Sequence, residues 1–245
     1  MPHLVDTWWV RIAANCASLE NSREKSLHRF ESCTHRMRFK RKILTTASED
    51  RLEKLIQERL KPNANKKAID KRIWDLFGEE WCVMFSDLSG FSRNVEKFGI
   101  IHFLQTIHES ERLLIPIIDN HDGILLKTEG DSLLVIFRNV DRAISASIKM
   151  QKTLKAYNVD KSPEEKVLLC IGLGYGKILR IGDNDAFGAE VNAASKLGED
   201  TATATEILVT QSVKEKANHL KGVSFHSISE IPPGTKKAYK LVYHP

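Results

Sequence analysis

The chain has few cysteines, no long apolar run and none of the common phosphate-loop motifs, and each absence excludes a class of protein. Its 245 residues contain no stretch of 18 apolar residues, which argues against a transmembrane helix. The four cysteines, at positions 16, 33, 82 and 170, show no CxxC spacing, so we expect neither a zinc site nor a disulfide framework, and we expect a cytoplasmic location. No GxxxxGK[ST] loop occurs, and the GLGYG segment at 172–176 is not GxGxxG; it predicts a strand end where another backbone approaches closely.

The positive charge is concentrated at the beginning of the chain. Residues 1–73 carry 17 Lys and Arg against 9 Asp and Glu, whereas the whole chain has a net charge of only +5. A basic segment of this kind is compatible with two interpretations. It either contacts an anionic membrane or a regulator weakly, or it is a solvated helical extension without a partner. We expect no nucleic-acid partner, because no nucleic-acid-binding motif accompanies the charge.

Two parts of the chain differ in their pattern. Residues 1–77 are predicted to be an extension with short helices at 49–60, capped by Ser48, and at 69–77. The chain as a whole has 42% hydrophobic residues, which is enough for a sizeable core. Residues 78–245 are predicted to form a folded domain around such a core.

The sequence pattern of this domain predicts an α+β fold with a ferredoxin-like β-α-β-β-α-β core. The pattern gives a strand at 81–87, a helix at 100–120, a hairpin over 123–137 that turns at Glu129 and Gly130, a helix from Asn139 to about 157, and a strand at 167–176. An α/β extension follows, with a helix at about 188–199, a strand, a short helix and final strands near 223–228 and 237–243.

This topology brings two carboxylates together. The first and third strands of such a core are antiparallel neighbours, so the end of the first, at Asp87, meets the start of the third, at Asp131. The pair is compatible with acid–base catalysis, with a metal site or with two solvated loop acids. Because FSDLSGFS at 85–92 adds a Ser-Gly turn before a helix, suited to phosphate, we favour magnesium shared between carboxylates and phosphates.

Three segments together resemble a known family. VMFSDLSGFS, LLKTEGDSLLVIF and DAFGAEVNAASKLGED stand in the order and spacing of the class III nucleotidyl cyclase catalytic domain, the family of adenylyl and guanylyl cyclases. The resemblance covers roughly 81–243 and implies the class III cyclase fold. It also implies two divalent ions, Mg²⁺ or Mn²⁺, in each site.

The resemblance also implies a role for individual residues. Asp87 and Asp131 match the metal-binding aspartates, and Leu88 matches the position that lends a backbone carbonyl to a metal. The phosphate-binding turn corresponds to Ser89, Gly90, Phe91 and Ser92. Lys127 and Asp185 match the two base-reading positions.

Three further positions complete the implied site. Asn192 matches the asparagine that orients the ribose, and Lys196 falls where the family usually has a transition-state arginine. Lys237, with Lys236 as the alternative, is the candidate for a basic phosphate contact near the end of the chain. Lysine keeps the charge of arginine but lacks its bidentate donor fork, so we expect reduced activity.

The base-reading pair predicts the substrate. Lys127 only donates hydrogen bonds and Asp185 only accepts them, which suits N1 and the N6 amino group of adenine. The sequence thus predicts an adenylate cyclase that acts on ATP as a head-to-tail homodimer, because the family assembles each site from two domains. A catalytically silent nucleotide-binding or dimerisation module and a guanylate cyclase are the alternatives.

Overall fold

The computed structural model describes residues 46–89, 98–163 and 165–243. The helices are α1 (Ala47–Arg59), α2 (Lys66–Phe77), α3 (Ile100–Asn120), α4 (Val140–Tyr157), α5 (Ala189–Ser195), a π-helix (Lys196–Thr201) and α6 (Gln211–Ala217). The strands are β1 (Gly78–Leu88), β2 (Gly123–Glu129), β3 (Ser132–Phe137), β4 (Leu169–Ile181), β5 (Asp185–Phe187), β6 (Ile207–Thr210), β7 (Val223–Ser227) and β8 (Ala238–Tyr243).

These strands form one sheet in the order β2-β3-β1-β4-β6-β8-β7, with β5 paired to β4 alone. The predicted ferredoxin-like core is confirmed, since β1 lies between β3 and β4 and is antiparallel to both. The α/β extension continues the same sheet, because β6 pairs in parallel with β4 and β8 pairs antiparallel with β6.

Both faces of the central strands are covered, which explains the continuous apolar run in β1. Cys82 and Met84 point into a core that includes Leu114 of α3 and Met150 of α4. The alternate residues of β1 point to the opposite face, where they pack against Val191 and Ala194 of α5. A strand buried on both faces loses the polar alternation of a half-exposed one.

Helix α5 lies unusually close to β4 because of the glycines in GLGYG. A Cβ at Gly172 would stand 2.1 Å from the carbonyl oxygen of Ala194, and one at Gly174 would stand 2.3 Å from that of Glu190. The predicted close approach is therefore confirmed. The expected strand end is wrong, because β4 continues to Ile181.

Several predicted boundaries differ from the structure. Helix α1 begins with a reciprocal cap between Thr46 and Glu49 rather than at Ser48. Strand β1 starts at Gly78, directly after α2, since its polar first residues are held by pairing with β4. The helix expected over 188–199 is α-helical only to Ser195 and continues as the π-helix.

The division of the chain into an extension and a domain after residue 77 stays a prediction. In the structure, residues from Leu52 onward belong to one compact unit. Cys82 and Cys170 are buried free thiols, and the helix predicted after Gly90 lies outside the described residues. Within the described ranges, no helix combines the length and the apolar character needed to cross a bilayer.

Candidate functional site

Asp87 and Asp131 come together at one end of the sheet. Asp87 is the next-to-last residue of β1, and Asp131 lies in the two-residue turn before β3, after Gly130 with a φ of 61°. Ser132, the first residue of β3, donates a hydrogen bond of 2.9 Å from its Oγ to Asp87 Oδ1. The antiparallel pairing of β1 and β3 thus produces the predicted juxtaposition.

The electrostatics of this carboxylate pair favour a cation. Burial and the negative charge of Asp131 raise the pKa of Asp87 to about 6, although the Ser132 hydrogen bond acts against the rise. Burial also raises the pKa of Asp131. A divalent ion would offset both the desolvation and the repulsion, and oxygen ligands suit Mg²⁺ and Mn²⁺. The residues present therefore fit the metal that the sequence implies.

The predicted phosphate turn is described only at its first residue. Ser89 is half-buried, and its backbone N–H donates to the carbonyl of Leu168 over 2.8 Å. This bond fixes the start of the turn beside β4. Gly90, Phe91 and Ser92 lie outside the described residues.

The predicted base-reading residues form a second charged cluster. Lys127 Nζ lies 3.5 Å from Asp185 Oδ2 and 2.5 Å from Glu129 Oε1. Burial by itself lowers the pKa of Lys127, but the hydrogen bond from Lys127 to Glu129 and the charge of Asp185 outweigh it. The net effect is a raised pKa, so the ammonium stays protonated at neutral pH. Asp185 Oδ1 accepts a hydrogen bond of 2.9 Å from the N–H of Ala186, which orients its carboxylate.

Asn192 and Lys196 lie one turn apart on α5 and the π-helix. Both are exposed, and Asn192 Nδ2 donates to the carbonyl of Pro233 over 3.3 Å. Lys196 Nζ donates to Asp200 Oδ2 over 2.5 Å, and this bond raises the pKa of Lys196. The close contacts of Gly172 and Gly174 with the backbone of α5 fix the position of the helix that carries Asn192.

The final predicted contact, Lys237, is exposed just before β8. Its carbonyl accepts hydrogen bonds from the N–H of Gln211 and the hydroxyl of Thr235. These bonds fix the backbone at that position and leave the side chain on the surface. Lys236 is also exposed, so the choice between the two lysines stays a prediction.

Three groups near these clusters were not predicted from the sequence. Ser132 orients Asp87, while Glu129 and Asp200 pair with Lys127 and Lys196. Ser132 and Glu129 flank the turn that carries Asp131. Their position next to that turn was the signal from which a contact with the site could have been predicted.

Comparison with known proteins identifies the family. The family model described as "Adenylate and Guanylate cyclase catalytic domain" matches residues 78–241, about two thirds of the chain. The chain belongs to this family. The sequence-based identification as a class III cyclase domain is thereby confirmed, while the family covers both adenine and guanine nucleotides.

Two relatives of this cyclase domain have low sequence identity to it. The chain is 25% identical over 159 residues to "Serine/threonine-protein kinase pkn2" of Myxococcus xanthus, covering 65% of this chain and 19% of that protein. It is 24% identical over 143 residues to "Putative adenylate cyclase 3" of Rhizobium meliloti, covering 58% of this chain and 24% of that protein. It thus spans less than a quarter of either relative.

The fold of the cyclase domain is shared with solved structures. An "Adenylate/Guanylate Cyclase/Hydrolase" from Silicibacter pomeroyi superposes with a TM-score of 0.58 at 21% identity, covering 69% of this chain and 98% of the other. At this identity the likeness establishes the α+β cyclase fold alone.

Proposed function

We propose that this chain is an adenylate cyclase, which converts ATP to 3′,5′-cyclic AMP and pyrophosphate. The observation that carries the proposal is the pairing of Lys127 with Asp185, a donor and an acceptor held 3.5 Å apart. Adenine offers an acceptor at N1 beside a donor at N6, which match an ammonium and a carboxylate. Guanine presents donors and acceptors in the opposite order, so it would leave the pair unsatisfied.

The metal ligands in this proposal are Asp87, Asp131 and the carbonyl of Leu88. Bound there, two Mg²⁺ or Mn²⁺ ions would lower the pKa of the ribose 3′-hydroxyl and neutralise charge on the triphosphate. Ser132 keeps the Asp87 carboxylate oriented before any ligand arrives. The raised pKa of Asp87 means that a proton competes with the metal in mildly acidic solution.

Other residues of the chain would position the nucleotide. Asn192 orients the ribose, while the turn at 89–92 and Lys237 contact phosphate oxygens. Lys196 places a positive charge near the α-phosphorus, where the 3′ oxygen forms a new P–O bond and the bond to pyrophosphate breaks. Its pairing with Asp200 supports a slow enzyme, because Lys196 must leave that carboxylate to act.

We extend the proposal to a head-to-tail homodimer, because the chain carries two charged clusters that match the two halves of one site. Beyond the effect of burial, Asp131 and Glu199 raise the pKa of Asp87, whereas Glu129 and Asp185 raise the pKa of Lys127. In the family each site combines the metal ligands of one domain with the base-reading residues of another. A twofold arrangement of two such chains would then give two equivalent sites.

We also place the enzyme in the cytoplasm, where free thiols such as Cys82 and Cys170 persist. Contact of the basic residues 1–45 with a membrane or a regulator stays a prediction, because they lie outside the described residues. No nucleic acid is part of the proposal.

A product assay tests the proposal. The purified full chain is incubated with ATP or GTP, with Mg²⁺ or Mn²⁺, and the products are separated by chromatography and identified by mass. We expect cyclic AMP from ATP and at least about 100-fold less cyclic GMP from GTP. Predominant cyclic GMP would make the chain a guanylate cyclase, and the absence of both products from dimeric, metal-loaded protein would make it a silent module.

A further inference from the structure

The first two helices form a hairpin whose apolar side packs on the far end of β4. The two helices are tied together by Arg59 of α1, which makes hydrogen bonds of 2.6 and 3.2 Å to both carboxylate oxygens of Asp70 in α2. The hydrophobic cluster that joins the hairpin to β4, here called the hairpin core, consists of Leu55, Ile69, Ile73, Phe77 and Ile181. Ile181 is only 2% exposed.

The residue of β4 that enters the hairpin core is also the one that pairs with Asp185. In the antiparallel β4–β5 ladder, Ile181 stands opposite Asp185, and Arg180 stands opposite Ala186. Strand β5 has three residues and pairs with β4 alone. The position of the Asp185 backbone therefore depends on the last residues of β4.

The end of β4 is held on both of its faces. Leu179 and Ile181 pack in the hairpin core, whereas Arg180, on the other face, lies over the Trp81 ring at 5.1 Å. Arg180 also donates a hydrogen bond of 3.0 Å to the carbonyl of Gly182 in the turn to β5. The hairpin core supplies the apolar half of this anchor, since side chains alternate between the faces of a strand.

The metal end of the sheet does not depend on the hairpin in the same way. Asp87 lies near the end of β1, which pairs with β4 over its whole length and with β3 from Cys82 to Ser86. A change at the start of β1 is therefore resisted by neighbouring strands before it reaches Asp87. Asp185 has no such protection, because β5 has a single short pairing.

We propose that Ile181, held by Ile73 and its neighbours in the hairpin core, is a positioning residue for Asp185, so that the α1–α2 hairpin sets the strength of base recognition. This inference rests on the proposed role of Asp185 in adenine binding. A displaced or loosened hairpin weakens nucleotide binding and base discrimination, and leaves the metal-dependent step unchanged.

The test compares cavities of equal size in two different cores. Ile73→Ala removes apolar contacts from the hairpin core, whereas Leu154→Ala makes a matched cavity in the main core under α4, where Leu154 is 2% exposed. Ile73→Val is the milder companion, for the case that Ile73→Ala does not fold. Hydrogen exchange of the β4–β5 segment and steady-state kinetics with ATP and GTP are measured on the full chain.

Exchange at residues 183–187 is expected to rise at least about tenfold in Ile73→Ala and to stay at the wild-type rate in Leu154→Ala. The KM for ATP is expected to rise about tenfold with kcat within about twofold, and the preference for ATP over GTP to fall. Ile73→Val should give a smaller change in the same direction. Leu154→Ala should keep the wild-type KM and base preference.

Two results would overturn the inference. One is unchanged exchange at residues 183–187 in Ile73→Ala, since the hairpin would then not hold β5. The other is faster exchange with an unchanged KM and base preference in an active enzyme. A wild-type chain that makes no cyclic nucleotide would contradict the proposed function instead, and hydrogen exchange would still decide whether the hairpin positions Asp185.

Discussion

Ser132 Oγ and Asp87 Oδ1 are joined by a hydrogen bond of 2.9 Å that links the start of β3 to the end of β1. The bond orients one carboxylate, and Asp131 is placed beside it by the turn that precedes Ser132. Burial and the charge of Asp131 make the ionised form of Asp87 costly without a cation, and burial does the same for Asp131. This relationship leads to the first two predictions.

Metal binding is expected to stabilise the wild-type chain and not its Asp87→Asn variant. At Mn²⁺ concentrations about 100 times the Kd, binding to the folded state alone adds about 2.7 kcal/mol, which raises the Tm by about 5–10 °C. The measurement is a thermal melt with and without Mn²⁺. Asp119→Asn, at an exposed end of α3, is the control and should keep the full shift. An equal Mn²⁺ shift in Asp87→Asn would place the metal elsewhere.

In the absence of metal, Asp87 is expected to make stability fall as the pH rises. Its pKa is about 6 in the folded chain and about 3.8 when unfolded, so the folded state binds more protons between these values. The contribution of Asp87 is therefore greatest below pH 4 and is lost as the pH rises through about 6. At pH 7 we expect the metal-free Asp87→Asn variant to have a Tm about 2–4 °C above wild type.

Comparison of the two proteins isolates this effect. Carboxyls with a lowered pKa, such as Glu206 beside Lys240, act in the opposite direction but are common to both. Melts in EDTA at about pH 4.5 and about pH 7 should show that the difference in Tm between variant and wild type grows with pH. A constant difference would contradict the raised pKa of Asp87.

Lys127→Glu is expected to reverse the base preference. The substitution replaces a donor by an acceptor and places a third carboxylate beside Glu129 and Asp185, so the proposed partner of adenine N1 is lost. We expect kcat/KM for ATP to fall at least about 100-fold and the ratio of GTP to ATP activity to rise. Parallel assays with both nucleotides measure it, and Lys149→Glu on the exposed side of α4 is the control. An unchanged ratio would remove Lys127 from base recognition.

Lys196→Arg is expected to accelerate the reaction. The guanidinium offers a planar donor fork where lysine offers a point charge, and one oriented donor is worth on the order of 10²–10³ in kcat. We expect kcat to rise at least about tenfold with a similar KM, and Lys196→Ala to lower it. Asp200→Asn, which frees Lys196 from its partner, should raise kcat by a smaller factor. A fall in kcat for both Lys196→Arg and Asp200→Asn would contradict this role.

Much of the fold followed from the sequence because its signals are local. The order β-α-β-β-α-β appears in the alternation of apolar runs and helical patterns, and the cap at Asn139 is read directly from the residue type. The full length of β1 and β4 was missed, because Gly78, Glu79 and Lys177 have no strand pattern of their own. They pair only because the strands beside them are already in place.

The site was predicted less completely than the fold. The meeting of Asp87 with Asp131 follows from topology, so the order of the strands and helices is enough to predict it. The partners of the positive residues could not be predicted, because Glu129 and Asp200 look like ordinary surface acids. The pairing of Ile181 with Asp185 was missed for another reason, since the glycines of GLGYG predicted that the strand ends at Gly176, before Ile181.

Complementation between two inactive variants tests the composite site most directly. Asp87→Ala removes a proposed metal ligand and Asn192→Ala removes the proposed ribose contact, so each homodimer is expected to make almost no cyclic AMP from ATP. In a mixed dimer one site carries both defects and the other carries neither. Mixing equal amounts under conditions that allow exchange of chains should therefore restore about a quarter of the wild-type rate. No recovery, with mixed dimers present and the wild type active, would contradict a site shared between two chains.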